Sequence, residues 1–498
     1  MQQRTEQRAS AEGKGRLRNL QHLFNPRSIA FVGATEFSLK WGFLIFNNLL
    51  AGGYRGRIYP VNPGRESVMG IKAYPSVRDI PGEVDLAVFT VPAAQVLRAM
   101  DDCVEKGVRA ALVISAGFRE LGGENERLEK ELVEKARSAG MVLAGPNGQG
   151  ICCPANRLFP WMPLFFPPDG PISFVSQSGN VLNMLISAAY RAGSGVAKAV
   201  SSGNEADLRM EDYLAYFLED PATEVIAAYS EGTRDGRRFL ETAREVCKRK
   251  PVILMRGGRS SPGTAAACSH TGAMAVSEEL YSAACRQAGV IRAHSADEAG
   301  ILAASFCERP LPRGRRVGIV TGGGGLGVIC ADLCNDAGLE VVRLSAATLE
   351  KVGKHLPPWW APGNPIDLVA GLDFSVTLPI IETLMRSGEV DAVIFTFVAV
   401  IRDPAVRTPL DPERGMDLQE MWNQVSESFV SRIPELYGPM HEMGIPIYVV
   451  SNLASSRKDQ GIPATREGNG ITVFPDLETA CRAAAAMADY AEWKRLHS

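Results

Sequence analysis

Ser28-Ile29-Ala30-Phe31-Val32-Gly33-Ala34-Thr35 is the stretch that decides the fold. A short, mostly apolar run enters a small, glycine-bearing turn, which reads as a buried strand ending in a loop. Working outward, similar runs recur at Arg57–Val61, Asp85–Val91, Ala110–Ser115 and Met141–Ala144, with helical patterns at Val96–Lys106 and Asn125–Ala139 between them. Strands alternating with helices predict a parallel sheet wound by right-handed crossovers.

The same style repeats twice. A second block predicts strands at Ile172–Val175, Ala197–Val200, Val225–Tyr229 and Val252–Met255, with helices at Val181–Arg191, Glu211–Leu218, Gly236–Cys247 and Ser277–Ala288. A third follows the Arg/Pro-rich segment 309–316, whose composition suits an exposed hinge. Its strands are expected at Val317–Val320, Glu340–Leu344, Ala392–Phe397 and Ile445–Val450. Each block has a glycine-bearing turn after its first strand. The expected organisation is a polar, frayed arm over 1–22, α/β domains over 23–151, 152–308 and 317–498, and a linker over 309–316. The fold class is α/β, three doubly wound parallel-sheet units in series.

Composition narrows the function. The 498 residues carry 53 Lys+Arg against 56 Asp+Glu, a formal charge of −3, which argues against a general nucleic-acid binder. With 46% hydrophobic residues the chain can bury cores. No run of about 18 apolar residues is free of charge, so no membrane span is expected. The polar N-terminus has no apolar segment of a secretory signal. The ten cysteines form no CxxC pair and read as reduced cytoplasmic thiols, mostly small core residues. The six histidines show no metal-binding spacing, so no metal site is expected.

Ligands of open parallel sheets bind at the carboxyl ends of the strands. In the first block those ends are Gly33-Ala34-Thr35, Asn62-Pro63, Thr90-Val91-Pro92, Ser115-Ala116-Gly117-Phe118 and Gly145-Pro146-Asn147. They leave a flat crevice with accessible N–H groups, suited to a phosphorylated nucleotide, although ordinary turns use the same residues. NAD fits poorly. Gly33-Ala34-Thr35-Glu36 lacks the GxGxxG pattern, and no acid ends the second strand, while Lys40 and Arg65 offer positive charge.

In the second block, Ser176-Gln177-Ser178-Gly179 joins a strand to a helix start that offers unpaired N–H groups to a phosphate; the plain alternative is a serine helix cap. In the third, Gly322-Gly323-Gly324-Gly325 formally begins a GxGxxG match, but no acid follows at the next strand end, so it reads as a second anion-binding helix start. His270 lies in a loop of small residues, 265–275, and is either an ordinary solvated histidine or a nucleophile toward phosphorus. Glu231, just past a strand end, is the candidate carboxylate to hold its other N–H, or else a solvated loop acid.

Taken together, IYPVNP (58–63), YPSVRDIP (74–81), ISAGF (114–118), GPN (145–147), SQSGN (176–180), SHTGAMA (269–275) and NPIDL (364–368) resemble the NDP-forming acyl-CoA synthetases, a family that includes the ADP-forming acetyl-CoA synthetases and is related to the succinyl-CoA synthetases. The resemblance implies a Rossmann-like coenzyme A domain followed by two flavodoxin-like ligase domains. It implies that His270 is phosphorylated with Glu231 in support, and that Ser176–Gly179 and Gly322–Gly325 cradle the phosphate from opposite sides. An acyl-CoA would exchange with phosphate to give acyl phosphate and CoA, and His270 would carry the phosphoryl group to ADP or GDP.

Members also need an ATP-grasp module for ADP/ATP and Mg. The three blocks consume the chain, so a separate nucleotide-binding subunit is expected, in a heteromer. Two departures stand out: Gly148-Gln149 where the family has PNCxG, and Val276 where it has glycine. The aromatic segment Leu158–Pro168 is a pocket lining, an interface or a core loop. Two other readings remain: an acyl or carbamoyl transferase of the same superfamily working without a nucleotide partner, and a CoA-binding regulatory protein without turnover.

Overall fold

In the computed structural model, which describes residues 15–260, 262–263, 277–369, 374–397, 431–451 and 472–497, the stretch Ser28–Val32 is strand β1, buried along its whole length. It pairs in parallel with β2 (Arg57–Val61) and β3 (Leu86–Phe89), and β4 (Ala110–Val113) and β5 (Val142–Ala144) extend the sheet in the order β2-β1-β3-β4-β5. The chain leaves β1 for one side and returns on the other, which opens a crevice at the carboxyl ends of β1 and β3. Val32, Phe89, Val113 and Leu143 pack on Val96, Met100 and Leu132 on one face. Helix α1 (Trp41–Ala51) covers part of the other face, Phe46 lying edge-on to Phe31 at 5.1 Å. Sequence WGFLIFNNLLA is apolar on nearly every side, so no amphipathic stripe announces this helix.

The second sheet runs β11-β10-β9-β7-β8-β6, from β6 (Gly150–Cys152), β7 (Asp169–Ser176), β8 (Val196–Ser201), β9 (Val225–Ser230), β10 (Val252–Arg256) and β11 (Ile291–Ala293). All pairs are parallel except β6 with β8. Helix α2 (Gly179–Arg191) leaves β7. The segment 204–208 runs beside the exit of β5. Asn204, Ala206 and Leu208 donate their N–H groups to the carbonyls of Pro146, Gly145 and Leu143 at 2.9–3.1 Å. Buried Asp207 in that segment accepts from Arg137 (2.7 Å), Arg16 (3.0 Å) and the Leu143 N–H (3.0 Å). Both sheets belong to one unit, Met1–Tyr190 with Ser194–Gly300.

Residues 15–22, expected in a frayed arm, instead belong to a helix over 15–24. Leu20, Leu23 and Phe24 repeat at helical spacing and are buried, and Arg16 is held by Asp207.

The other unit comprises Arg191–Gly193 and Ile301–Ser498. Its sheet has the order β13-β12-β15-β16-β17, from β12 (Arg316–Thr321), β13 (Glu340–Val341), β15 (Ala392–Thr396), β16 (Ile447–Val450) and β17 (Val473–Phe474), with β14 (Ile366–Asp367) also on β12. Helices α3 (Gly324–Asp336) and α4 (Leu477–His497) pack together on it. The strand expected over 340–344 stops at Val341. There the Asn364 amide takes over the ladder, donating to Val317 and Val342 carbonyls and accepting the Ile319 N–H, all at 2.9 Å.

The hinge expected at 309–316 is not exposed at its start. Arg309 is buried, donates to the carbonyls of Ile447 (2.9 Å) and Thr472 (2.7 Å), and lies over the rings of Tyr448 and Phe474. A planar guanidinium with its N–H groups satisfied and its faces on aromatic rings is stable in such a place. Among the described residues no helix is long and apolar enough to cross a membrane.

Candidate active site

Where β7 ends, Ser176 Oγ donates to the Ser178 carbonyl (2.6 Å) and accepts the Ser178 N–H (3.2 Å), a tight serine turn that aims α2. The helix starts at Gly179 with Leu182 N–H returning to the Ser178 carbonyl. Its first-turn N–H groups and dipole favour an anion. Gln149, next to Gly148 where the family pattern has cysteine, lies across this start. Its amide donates to Asn180 Oδ1 (2.9 Å) and accepts from Asn183 (3.2 Å), and a Cβ on Gly179 would stand 2.1 Å from Gln149 Cγ.

Gln177 is the strut of the site. Its Oε1 accepts the N–H groups of Glu231 (2.7 Å) and Gly232 (3.3 Å), while its Nε2 donates to the Gly232 carbonyl and to Glu205 Oε2, both at 3.0 Å. Glu205 also accepts from Ser202 Oγ (2.8 Å). Burial pushes the Glu205 carboxyl up to about 7, against the hydrogen bonds from Gln177 and Ser202. Burial likewise raises the Tyr229 hydroxyl to about 12, helped by the neighbouring Glu231 carboxylate.

Gln177, Glu205, Glu231 and Gly232 border a cleft of about 460 Å³ within the first unit. Of the residues expected in a site, it gathers Thr90, Ser115, Ala116 and Asn147 from the first sheet with Gln177, Ser178, Gly179 and Glu231 from the second. It also takes in Gln149 and Met162, from two segments the sequence had singled out, and adds residues the sequence reading missed, chiefly Trp41, Arg119, Asn204, Glu205 and Arg234. Arg119 and Arg234 both donate to the Asn204 carbonyl, at 3.0 and 2.7 Å, and bring two positive charges to the wall. Arg119 directly follows the ISAGF strand end and Arg234 lies three residues past Glu231, so position was the available signal.

The remaining first-block residues do not line this cleft. Gly33 sits at φ +99°, where a Cβ would stand 2.7 Å from Thr90 Oγ1, and Asn62 Nδ2 donates to the Ala34 carbonyl at 2.9 Å. These contacts shape the crevice near Thr35, Pro63, Val91 and Pro92. Lys40 is exposed beside the Phe37 ring, and Arg65 is exposed. The N–H groups of Gly117 and Phe118, expected to be accessible, are taken by Glu120 Oε1 at 2.6 and 3.1 Å, and the Phe118 ring is in the core. Pro146 follows a cis peptide bond.

In the aromatic segment, Leu158, Phe159 and Trp161 are core. Asn48 of α1 ties it down through the carbonyls of Trp161 (3.0 Å) and Pro163 (2.8 Å). Only Met162 reaches the cleft, while Leu164 and Phe166 are exposed.

In the second unit, Thr321 Oγ1 donates to the Gly323 carbonyl (2.8 Å) and Gly323 precedes α3. The glycines differ in purpose. A Cβ at Gly327 would press on Pro365 at 2.9 Å, and one at Gly324 would meet Asp367 Oδ2 at 3.0 Å, whereas Gly323 and Gly325 face open space and Gly322 is in ordinary contact. His270 and Val276 lie outside the described residues.

Three family models match the chain: a CoA binding domain over residues 27–154, a succinyl-CoA ligase like flavodoxin domain over 169–306, and a ligase-CoA domain over 317–420. The chain is 40% identical over 404 residues to the alpha subunit of acetate–CoA ligase [ADP-forming] II of Pyrococcus furiosus, covering 80% of this chain and 86% of the relative. It is 36% identical over 488 residues to the alpha subunit of ligase I of the same organism, covering 96% and 99%. The solved dinucleotide-forming acetyl-coenzyme A synthetase 1 of Ca. Korarchaeum cryptofilum, in complex with phosphate and ADP, superposes with a TM-score of 0.80 at 34% identity, covering 96% of this chain and 97% of that one.

Proposed function

Because the chain belongs to the ADP-forming acyl-CoA synthetase family, in its alpha-subunit form, we propose that it is the CoA-binding, phosphohistidine-bearing subunit of such an enzyme. It interconverts acyl-CoA, phosphate and ADP with a carboxylic acid, CoA and ATP. The observation that carries this reading is the shared cleft: strand ends of the CoA-binding sheet, the Ser178–Gly179 helix start and Glu231 border one cavity.

In this reading phosphate enters against the α2 start and the charges of Arg119 and Arg234, and attacks the acyl carbonyl of the thioester; CoA thiolate leaves. A neutral ring nitrogen of His270 then takes the phosphoryl group from acyl phosphate, releasing the carboxylate, with Glu231 holding the opposite ring N–H. Gln177 fixes the Glu231 backbone, so that carboxylate is held by a rigid loop. Gly322–Gly325 keeps its expected role as a phosphate-binding helix start. Transfer to ADP takes place with a second, ATP-grasp subunit that holds the nucleotide and Mg; the alpha-subunit naming of both relatives supports a partner chain. The setting is the cytoplasm, where the thiols stay reduced.

Incubation with acetyl-CoA and labelled phosphate tests the reading. Acid-labile label is expected on His270 and absent from His270→Ala. Equal label in the variant, or none in the wild type, overturns the chemistry. Glu231→Gln is expected to slow labelling by about 10²–10⁴-fold without loss of fold, since its backbone contacts to Gln177 remain.

A further inference from the structure

Three thiols meet inside the second unit, apart from the groups that the proposed reaction uses. Cys330 and Cys334 stand one turn apart on α3, and Cys481 faces them from α4. All three are at most 1% exposed. Their Sγ atoms lie within 4.8 Å of one another, with Cys334 and Cys481 at 3.6 Å. Sulfurs that share one ion at about 2.3 Å stand roughly 3.7–4.0 Å apart, so the cluster needs little movement to close on a metal.

Thiolate sulfur is a soft ligand and selects soft ions. Among the described residues no fourth His, Cys, Asp or Glu joins the group. A closed tetrahedral zinc site therefore lacks a ligand, whereas an ion content with three sulfurs lacks nothing.

We infer that Cys330, Cys334 and Cys481 form a binding site for a soft monovalent metal ion, of which copper(I) is the representative. Three Cu–S bonds form. The three S–H bonds break and the three protons leave to solvent, since thiolate rather than thiol is the metal ligand. No oxidant or reductant is consumed. The ion would pin α3 to α4. Because the site is closed, the ion enters as the unit folds or when α4 loosens.

The full chain, produced both in copper-supplemented cells and by anaerobic loading with copper(I), is desalted and analysed for copper per chain and by X-ray absorption. One copper per chain with sulfur-only coordination is expected. Cys334→Ala and Cys481→Ala should each weaken retention against a copper(I) chelator by at least about tenfold, and Cys103→Ala, in the first sheet's core, should not. No retained copper by either route, nitrogen or oxygen neighbours in the wild-type spectrum, retention unchanged in both cluster variants, or a Cys334–Cys481 disulfide in the freshly purified protein would overturn the assignment. The wild-type spectrum keeps the test decisive if a variant fails to fold.

Discussion

Gln177 Oε1 accepts the backbone N–H of Glu231 at 2.7 Å, so a side chain at the tip of β7 sets the path of the chain leaving β9. The same amide reaches Glu205 and Gly232. One uncharged residue thus positions the helix start, the candidate support for His270 and a buried acid.

Gln177→Leu keeps the volume and removes every one of those bonds. Acyl-CoA-dependent labelling of His270 should fall by about 10²-fold, because small misplacements of a catalytic group are costly. Coenzyme A affinity, read by calorimetry, should change little. Labelling at the wild-type rate would show that the Glu231 loop is held by other means.

Gly179→Ala should cost about 1–3 kcal/mol, since its new methyl meets Gln149 Cγ at 2.1 Å. Gly179→Ala/Gln149→Ala should restore only part of the midpoint of urea unfolding, because Gln149 Cβ, 2.7 Å from the new methyl, stays in place, whereas Gly179→Ala/Gln149→Gly removes every Gln149 side-chain atom from its path. Gly203→Ala offers the contrast. Its φ is +58° and the methyl would lie 2.2 Å from the Pro146 carbonyl oxygen, so no side-chain truncation relieves it.

Glu205 titrates near 7 in the folded chain but near 4.3 when unfolded. The folded state therefore binds more protons between those values, and stability contributed by this group falls as pH rises from about 4.3 to 7. Glu205→Gln, which keeps a partner for Gln177, should flatten that slope and match or exceed the wild type above pH 7, by up to about 3 kcal/mol. Thermal unfolding at pH 5 and pH 8 reads the effect; a variant less stable at pH 8 than at pH 5, relative to wild type, contradicts it.

Arg309→Leu leaves the carbonyls of Ile447 and Thr472 without their donors. A loss of about 2–5 kcal/mol is expected in the unfolding midpoint. Arg309→Lys should recover little, because an ammonium has no planar fork to serve both carbonyls and no flat face for Tyr448 and Phe474.

Strands were legible where Val and Ile cluster. Ser28–Val32 and Arg57–Val61 have the expected bounds, and Val225–Ser230 differs by one residue. Helix α1 was hidden because it has no polar face, and β6 because three residues carry no period. The same limit governs the site. Ser178, Gly179 and Glu231 were found by their places at strand ends, but Glu205 matters only through burial, and Arg119 and Arg234 only through a common partner, Asn204. A charged residue such as Arg309 reads as solvent-facing until the carbonyls that receive it are known.

The seam along 204–208, with Asp207 gripping Arg16, Arg137 and the Leu143 amide, has a mechanical consequence. It crosses between the two sheets beside the cleft, where a hinge would have to bend. The cleft walls are thus riveted rather than jawed. A guest meets a ready-cut slot and loses little to induced rearrangement of these walls, and whatever travels during turnover must be hung on something other than the sheets themselves.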